Sequence, residues 1–387
     1  RSIEEGIVKY IPSKMSKKRK SLPYISADLD RKMTLRDRLE SRSKKKGGQQ
    51  IEQRYKQLKR ECQRQLRHEH YRFVENLLTE DDGQETVSKK FWAYLKQKRG
   101  DTCGIGTLRE GDHLVTDSAE KAEVLNRQFH SVFTTSSQES PSTSDNNDMP
   151  PISIAAEGVR SQLQKLNPYK ATGPDNISPR VLKELADVLA RPLAALFQSS
   201  LDQATVPEEW KKARVTPLYK KGDKYLPSNY RPISLTCVTC KVMEHIVTSQ
   251  MTRYLEETER LCKRQHGFRK YRSCESQLTE LMCDISEKLD EGKEVDAIFL
   301  DFSKAFDKVD HMKLLHKLDK IGVNSQVTRW VQSLLTGRSQ TVVVDGYESS
   351  SCPVTSGVPQ GSVIGPILFL VYINNLPDSD ACSPMTL

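Results

Sequence analysis

Long hydrophobic runs are missing from this 387-residue chain. The longest, "VIGPILFLVYI" at 363–373, falls short of the roughly 20 apolar residues that a membrane-spanning helix needs. No charged-then-apolar leader opens it either, so nothing marks it for secretion. Its first residue is Arg1 rather than Met, which predicts a fragment of a longer reading frame. Internal repeats are absent, which excludes solenoids and propellers. Paired cysteine motifs are missing too: nine cysteines sit at irregular spacings, and only Cys237 and Cys240 form a C-x-x-C. With no second pair at a zinc-ribbon distance, those two read as small helix-packing residues, and the chain as an intracellular protein with reduced thiols.

What is abundant is charge, at 29% of residues against 36% hydrophobic, and the chain is long enough for two or three domains. Lys and Arg outnumber Asp and Glu 60 to 51, a formal charge of +9. The excess is concentrated before Leu78, where bases outnumber acids about two to one, with runs at Lys17-Lys18-Arg19-Lys20 and Lys44-Lys45-Lys46. Contact with phosphate backbones and a solvated basic tail both fit such a pattern.

Organisation follows from periodicity and punctuation. Residues 1–48 predict a disordered basic linker, and 49–133 a helical extension. Its main helix runs through Ile51, Tyr55, Leu58, Cys62, Leu66, Phe73 and Leu77. A short aromatic helix at 89–99, a hairpin turning at Glu110-Gly111-Asp112 and a helix capped by Asp117 complete it. The polar stretch at 134–152 reads as a linker. Beyond it, 153–387 predicts one denser domain. There Ser178-Pro179 starts a helix that breaks near Pro192, and two extended stretches flank the turn in 213–235. A buried strand follows at 295–302, then a hairpin at Asp345-Gly346 and an apolar final helix from about Gly361 to Asn375. Helices and strands mix without a βαβ repeat, so the expected class is α+β.

Three constellations carry chemistry. In "VDAIFLDFSKAFDKVDH" a strand-like run ends in Asp301, and a carboxylate at the tip of a buried strand needs a cation, an ion pair or a metal. In "TSGVPQGS" glycines surround Gln360 just ahead of the final helix, letting backbone approach a planar substrate. Lys220, Lys221, Arg231, Arg269 and Arg272 supply forks and ammonium groups suited to a triphosphate. Taken singly, each has a plainer reading: a capping Asp, a Gly-Pro turn, solvated loop charge.

Taken in order, "KATGPDNI", "VPEEWKKARVTPLYKKGD…NYRPISL", "QHGFRKYRSCESQL", "FLDFSKAFDKVDH" and "SGVPQGSVIGPILFLVYINNLP" resemble successive blocks of a reverse transcriptase of the non-LTR (LINE-type) retrotransposons. The likeness runs from about Leu166 to Pro377, and "IPSKMSKKRKSLPYIS" and "KKFWAYLKQKRG" resemble the segment that precedes the polymerase in such elements. It implies reverse-transcriptase fingers and an incomplete palm after a mostly helical basic region, with no recognisable endonuclease. It implies templated addition of dNTPs to a DNA primer on an RNA template, with Mg²⁺ as the metal. By position, Asp301 would be the catalytic metal ligand, with the Phe302 carbonyl facing the same ion. Lys304 and Ala305 would offer backbone N–H groups to the triphosphate, and Phe306 would exclude a ribose 2′-OH. Lys220, Lys221 and Arg231 would hold the triphosphate, and Gln360 would line the nucleotide pocket. Asp307 falls outside the metal pattern and reads as an ion pair or cap.

One block is missing. The family places adjacent aspartates, as Tyr/Phe-Ala-Asp-Asp, shortly after "YINNLP", whereas here "DSDACSPMTL" follows. Met-Thr must be encoded ATG-ACN, so reading from each third base gives GAC, an Asp. Pro-Met gives NAT, Ser-Pro gives NCC, and "ACSPMTL" can thereby hide Phe-Ala-Asp-Asp-Thr. A frame shift within about Asp378–Ala381 is therefore expected, leaving the chain inactive as written. The alternative is a non-catalytic RNA-binding remnant.

Overall fold

The computed structural model describes residues 2–10, 22, 24–46, 48–79, 91, 94–95, 104–134 and 148–376. It divides into two compact units, Arg1–Cys103 and Gly104–Leu387. The basic run at 17–20, most of the aromatic helix at 89–99, most of the polar linker and the tail after 376 lie outside the described residues.

The first unit is helical: α1 (Ser2–Tyr10), α2 (Ala27–Lys46) and α3 (Gln49–Thr79). Residues 27–46 thus form a helix where the sequence predicted disorder. Their apolar residues are too sparse to show a period, and burial comes from α3, which packs along α2 and encloses Leu29 and Leu39 with Cys62 and Leu77. Polar pins add to this: Glu69 accepts from the Ser26 backbone and hydroxyl, and Lys32 reaches Glu61 at 2.9 Å.

The second unit begins earlier than the polar linker suggests. A small hairpin, β1 (Leu108–Glu110) and β2 (His113–Val115), leads into α4 (Ser118–His130), whose N-terminus is capped by Asp117. Ala122, Leu125 and Phe129 of α4 pack against Val215, Val342 and Val344, so this segment belongs to the sheet that follows rather than to the N-terminal helices. The polar run at 135–147 interrupts a unit instead of dividing two. Next come α5 (Ala156–Gln164), α6 (Pro179–Glu184) and α7 (Ala186–Asp202). The break falls at Leu185, which ends α6 and starts α7, and not at Pro192, which α7 carries inside it.

After the short α8 (Glu208–Lys211), β3 (Lys212–Tyr219) and β4 (Tyr230–Leu235) pair antiparallel. Helices α9 (Val238–Glu257), α10 (Cys274–Asp290), α11 (His311–Lys320) and α12 (Ser325–Leu335) precede β5 (Arg338–Val344). Strand β5 runs parallel to β3, pairs antiparallel with β7 (Cys352–Val354), and turns through Asp345-Gly346 into β6 (Tyr347–Glu348). The last element is α13 (Gly365–Ile373), apolar throughout, with Ile367, Leu368, Leu370 and Val371 buried. Helix and sheet together make the class α+β.

Residues 295–302 do not form the predicted strand. They have no regular secondary structure and are exposed: Ile298 at 77% and Phe299 at 87%, with Leu300 and Phe302 also open to solvent. A strand that is apolar on both faces is held by neighbours on both edges, and no described strand pairs with it. Helix α10, just before it, buries none of its residues.

Candidate functional site

The centre of the site is the turn Ser356–Ser362, and its placement begins with two glycines. Gly357 has φ +86°, and a Cβ there would stand 2.7 Å from the carbonyl oxygens of Phe306 and Asp307. Gly361, at φ +115°, lies equally close to the Ser234 carbonyl. Only residues without a side chain let the turn seat against segment 304–309 on one side and β4 on the other.

Backbone bonds then fasten it. Gly357 donates to the Val309 carbonyl and Val358 to that of Phe306, both at 2.8 Å, and Ser234 of β4 donates to the Gln360 carbonyl at 2.7 Å. The Ser356 hydroxyl donates to the Asp307 carbonyl at 2.8 Å. His311 Nε2, at the start of α11, donates to the Gly357 carbonyl at 2.8 Å, which fixes its tautomer. Burial holds the His311 imidazole below its ordinary pKa.

Side chains complete the arrangement. The Gln360 amide donates to Asp307 Oδ1 at 2.8 Å. Burial raises the Asp307 pKa above the usual aspartate value, while the Gln360 bond and the Lys304 charge oppose that shift. Behind the turn, Glu244 of α9 is only 1% exposed. Its Oε2 accepts from the Val363 and Ile364 backbone amides at 2.6 and 3.2 Å, where the chain enters α13. A carboxylate there satisfies N–H groups that a helix start leaves open. The Cys240 thiol donates to its other oxygen. Burial, with the Glu244 charge adding to it, raises that thiol's pKa well above normal. Cys237, also buried, is pushed up to about 12. Both are inert packing residues, as the sequence suggested.

The predicted residues divide into two groups. Lys304, Asp307 and Gln360 line one cavity with Pro232, Ser234 and Arg338. At about 30 Å³ it accommodates a water-sized group and not a nucleobase, so it is the inside of the turn's support. Phe306 and Ala305 are half-buried beside it, and the Phe306 ring stacks on Phe369 at 4.7 Å between centroids. The others lie apart. Lys220 and Lys221 are exposed at the β3–β4 turn. Arg231 pairs across the strands with the exposed Leu218, on the face opposite Val215 and Ser234, so it does not line the cavity. Asp301 and Phe302 are exposed on the unpaired segment and do not share that cavity. Among the described residues no group of three or more His, Cys, Asp or Glu is placed to hold a metal, so a lone exposed Asp301 does not fit a Mg²⁺ pair.

Sequence reasoning set Asp307 aside and did not single out Glu244 or His311. A signal existed for Glu244: it sits among Cys240, Met243 and Val247 on the buried face of an otherwise apolar stretch. An acid there is costly unless bonded.

The reverse transcriptase (RNA-dependent DNA polymerase) family matches residues 218–380. The chain is 34% identical over 230 residues to the RNA-directed DNA polymerase from mobile element jockey of Drosophila melanogaster, covering 59% of this chain and 25% of that protein. Against its counterpart in Drosophila funebris it is 27% identical over 381 residues, 95% of this chain and 41% of the relative. A probable RNA-directed DNA polymerase from transposon BS of Drosophila melanogaster is 28% identical over 321 residues, 80% of this chain and 35% of that protein. The chain therefore spans between 25% and 41% of the length of these relatives.

Proposed function

We propose, from the premise that residues 218–380 form a reverse transcriptase domain homologous to the RNA-directed DNA polymerases of non-LTR retrotransposons, that this chain is the template- and nucleotide-holding part of such an enzyme. The reaction is templated addition of a dNTP to a DNA primer: the primer 3′-OH attacks the α-phosphorus and pyrophosphate leaves. In this reading Lys220, Lys221 and Arg231 meet the triphosphate, Lys304 and Ala305 offer backbone donors to it, Phe306 stands against the sugar, and Gln360 faces the base pair. The observation that carries the reading is the joining of β4, segment 304–309 and the Gln360 turn by direct hydrogen bonds, although they are remote in sequence.

Polymerases of this kind rely on divalent metal ions held by clustered carboxylates to activate the hydroxyl and neutralise the leaving group. Asp301 alone does not make such a site, and residues 378–387 contain no adjacent Asp pair. The chain as written is therefore proposed to be inactive. Primer extension on an RNA template tests this, run with the chain as given and with the reading frame restored after about residue 378. The expected result is extension only by the restored form. Extension by the chain as given refutes the inactivity, and extension by neither refutes the enzyme assignment.

The exposed Asp301 favours a second reading, a non-catalytic RNA-binding remnant. Under it, RNA binding by the given chain persists while the restored frame adds no activity.

A further inference from the structure

The loop between α9 and α10 is held firmly and yet presents aromatic rings to solvent. Two buried basic side chains anchor it. The Arg269 guanidinium grips both oxygens of Glu256 and donates to the Cys262 carbonyl at 2.8 Å. The His266 ring, 4% exposed, lies between Ser276 Oγ and Glu280 Oε2, each at 2.9 Å. Ser273 and Ser276 then close a capping box at the start of α10.

Between these anchors stand Phe268 and Tyr271, 65% and 91% exposed. Their φ angles are +58° and +63°, in the left-handed region that bulky side chains rarely enter. Rings that the fold only needed to bury would be neither exposed nor strained, and such strain marks positions held for another purpose. The surroundings name a chemistry. Lys270 lies with its ammonium 4.7 Å from the Tyr271 ring centre, and Arg264 is exposed nearby in the chain. On the inner side, Phe268 meets Phe306 edge-on at 6.0 Å, and Phe306 stacks on Phe369. The loop thus ends in exposed rings bordered by cations, and those rings continue inward to Phe306.

We propose that Phe268 and Tyr271 form a stacking platform for unpaired bases of a single-stranded RNA template, with Lys270 and Arg264 meeting its phosphates. Aromatic faces accept any base, and flanking cations follow the backbone, the combination that binds single strands without reading sequence. The assignment rests on the reverse transcriptase reading, which sets the sugar of the incoming nucleotide against Phe306.

Anisotropy of a labelled oligouridylate RNA, its DNA counterpart and a duplex RNA, titrated with the full chain at several salt concentrations, tests it. The double variant Phe268→Ala/Tyr271→Ala should bind the RNA single strand about tenfold more weakly or worse. Its salt slope should not change, because no phosphate contact is removed. Phe268→Tyr/Tyr271→Phe should restore binding, and Lys270→Gln should lower the salt slope instead. A 5-iodouridine RNA should crosslink to the peptide containing residues 268–271. Unchanged RNA binding by the double alanine variant, an equal loss on duplex, or a loss confined to DNA overturns the platform. So does a change in self-association with RNA binding intact, which assigns the rings to protein contact. Failure of the unaltered chain to bind any polynucleotide instead overturns the reading on which the platform rests.

Discussion

Gln360 and Asp307, 53 positions apart in the chain, are joined by one side-chain hydrogen bond of 2.8 Å inside the support of the glycine turn. The Asp307 carboxyl is buried and its pKa raised, so folding favours its protonated form. Its contribution to stability is therefore present below the ordinary aspartate value and is lost as pH rises through the raised one. Gln360→Ala leaves the carboxylate without this donor. Urea unfolding should show a loss of about 1–3 kcal/mol near neutral pH and a smaller one in acid. Asp307→Asn keeps an acceptor for Gln360 and should flatten the acid-range slope.

His311 has the opposite sign. Its pKa is lowered by burial, so its neutral form belongs to the folded state. Stability should be full above the usual histidine value of 6.5 and should fall as pH drops through the lowered one. The bond to the Gly357 carbonyl links this titration to the Gln360 turn. His311→Gln, which can keep a donor at that position, should remove the pH dependence; an unchanged acid slope in the variant would contradict the assignment.

Glu244 ties α9 to the entry of α13 through the Val363 and Ile364 amides. Glu244→Ala strands both donors and should cost about 1–3 kcal/mol, read by urea unfolding. Glu244→Gln, with one carbonyl oxygen left, should lie between. Limited proteolysis of Glu244→Ala should also show faster cleavage at 356–364 than elsewhere in the second unit.

Segment 295–302 exposes a run of β-prone apolar residues, Ala297 to Leu300, that no described strand pairs with, a pattern that invites edge-to-edge association. The chain is expected to self-associate as its concentration rises. Ile298→Lys/Phe299→Asp should suppress this in sedimentation velocity without lowering the unfolding midpoint, because both side chains are already exposed.

Local chemistry was legible in the sequence, and long-range closure was not. Asp117, Ser178-Pro179 and Asp345-Gly346 start a helix or turn a hairpin through groups within three residues, and each was readable. The close approach of the Gly357–Gly361 turn was readable because glycines crowd around one amide. Segment 295–302 does not form its predicted strand because an apolar run states what a strand would bury, not whether neighbouring strands are there to bury it. Asp307 was set aside because its partner is 53 residues away. Helix α2 escaped notice for the same reason: its few leucines have meaning only beside α3. Arg231 has the right chemistry for phosphate, but which sheet face it takes, opposite to Ser234, is fixed only by the pairing of β3 with β4.

Helix α4 lies upstream of the polar run at 135–147 and yet packs on β3 and β5. Glu123 accepts from the Ser350 backbone and hydroxyl, Asn126 donates to the Ser350 carbonyl, and Thr134 donates to Ser356. A protease cut within that run would consequently leave two fragments clasped together, separable only by denaturant. A polypeptide begun after it would lay bare Val215, Val342 and Val344, and would come out of cells as inclusion bodies.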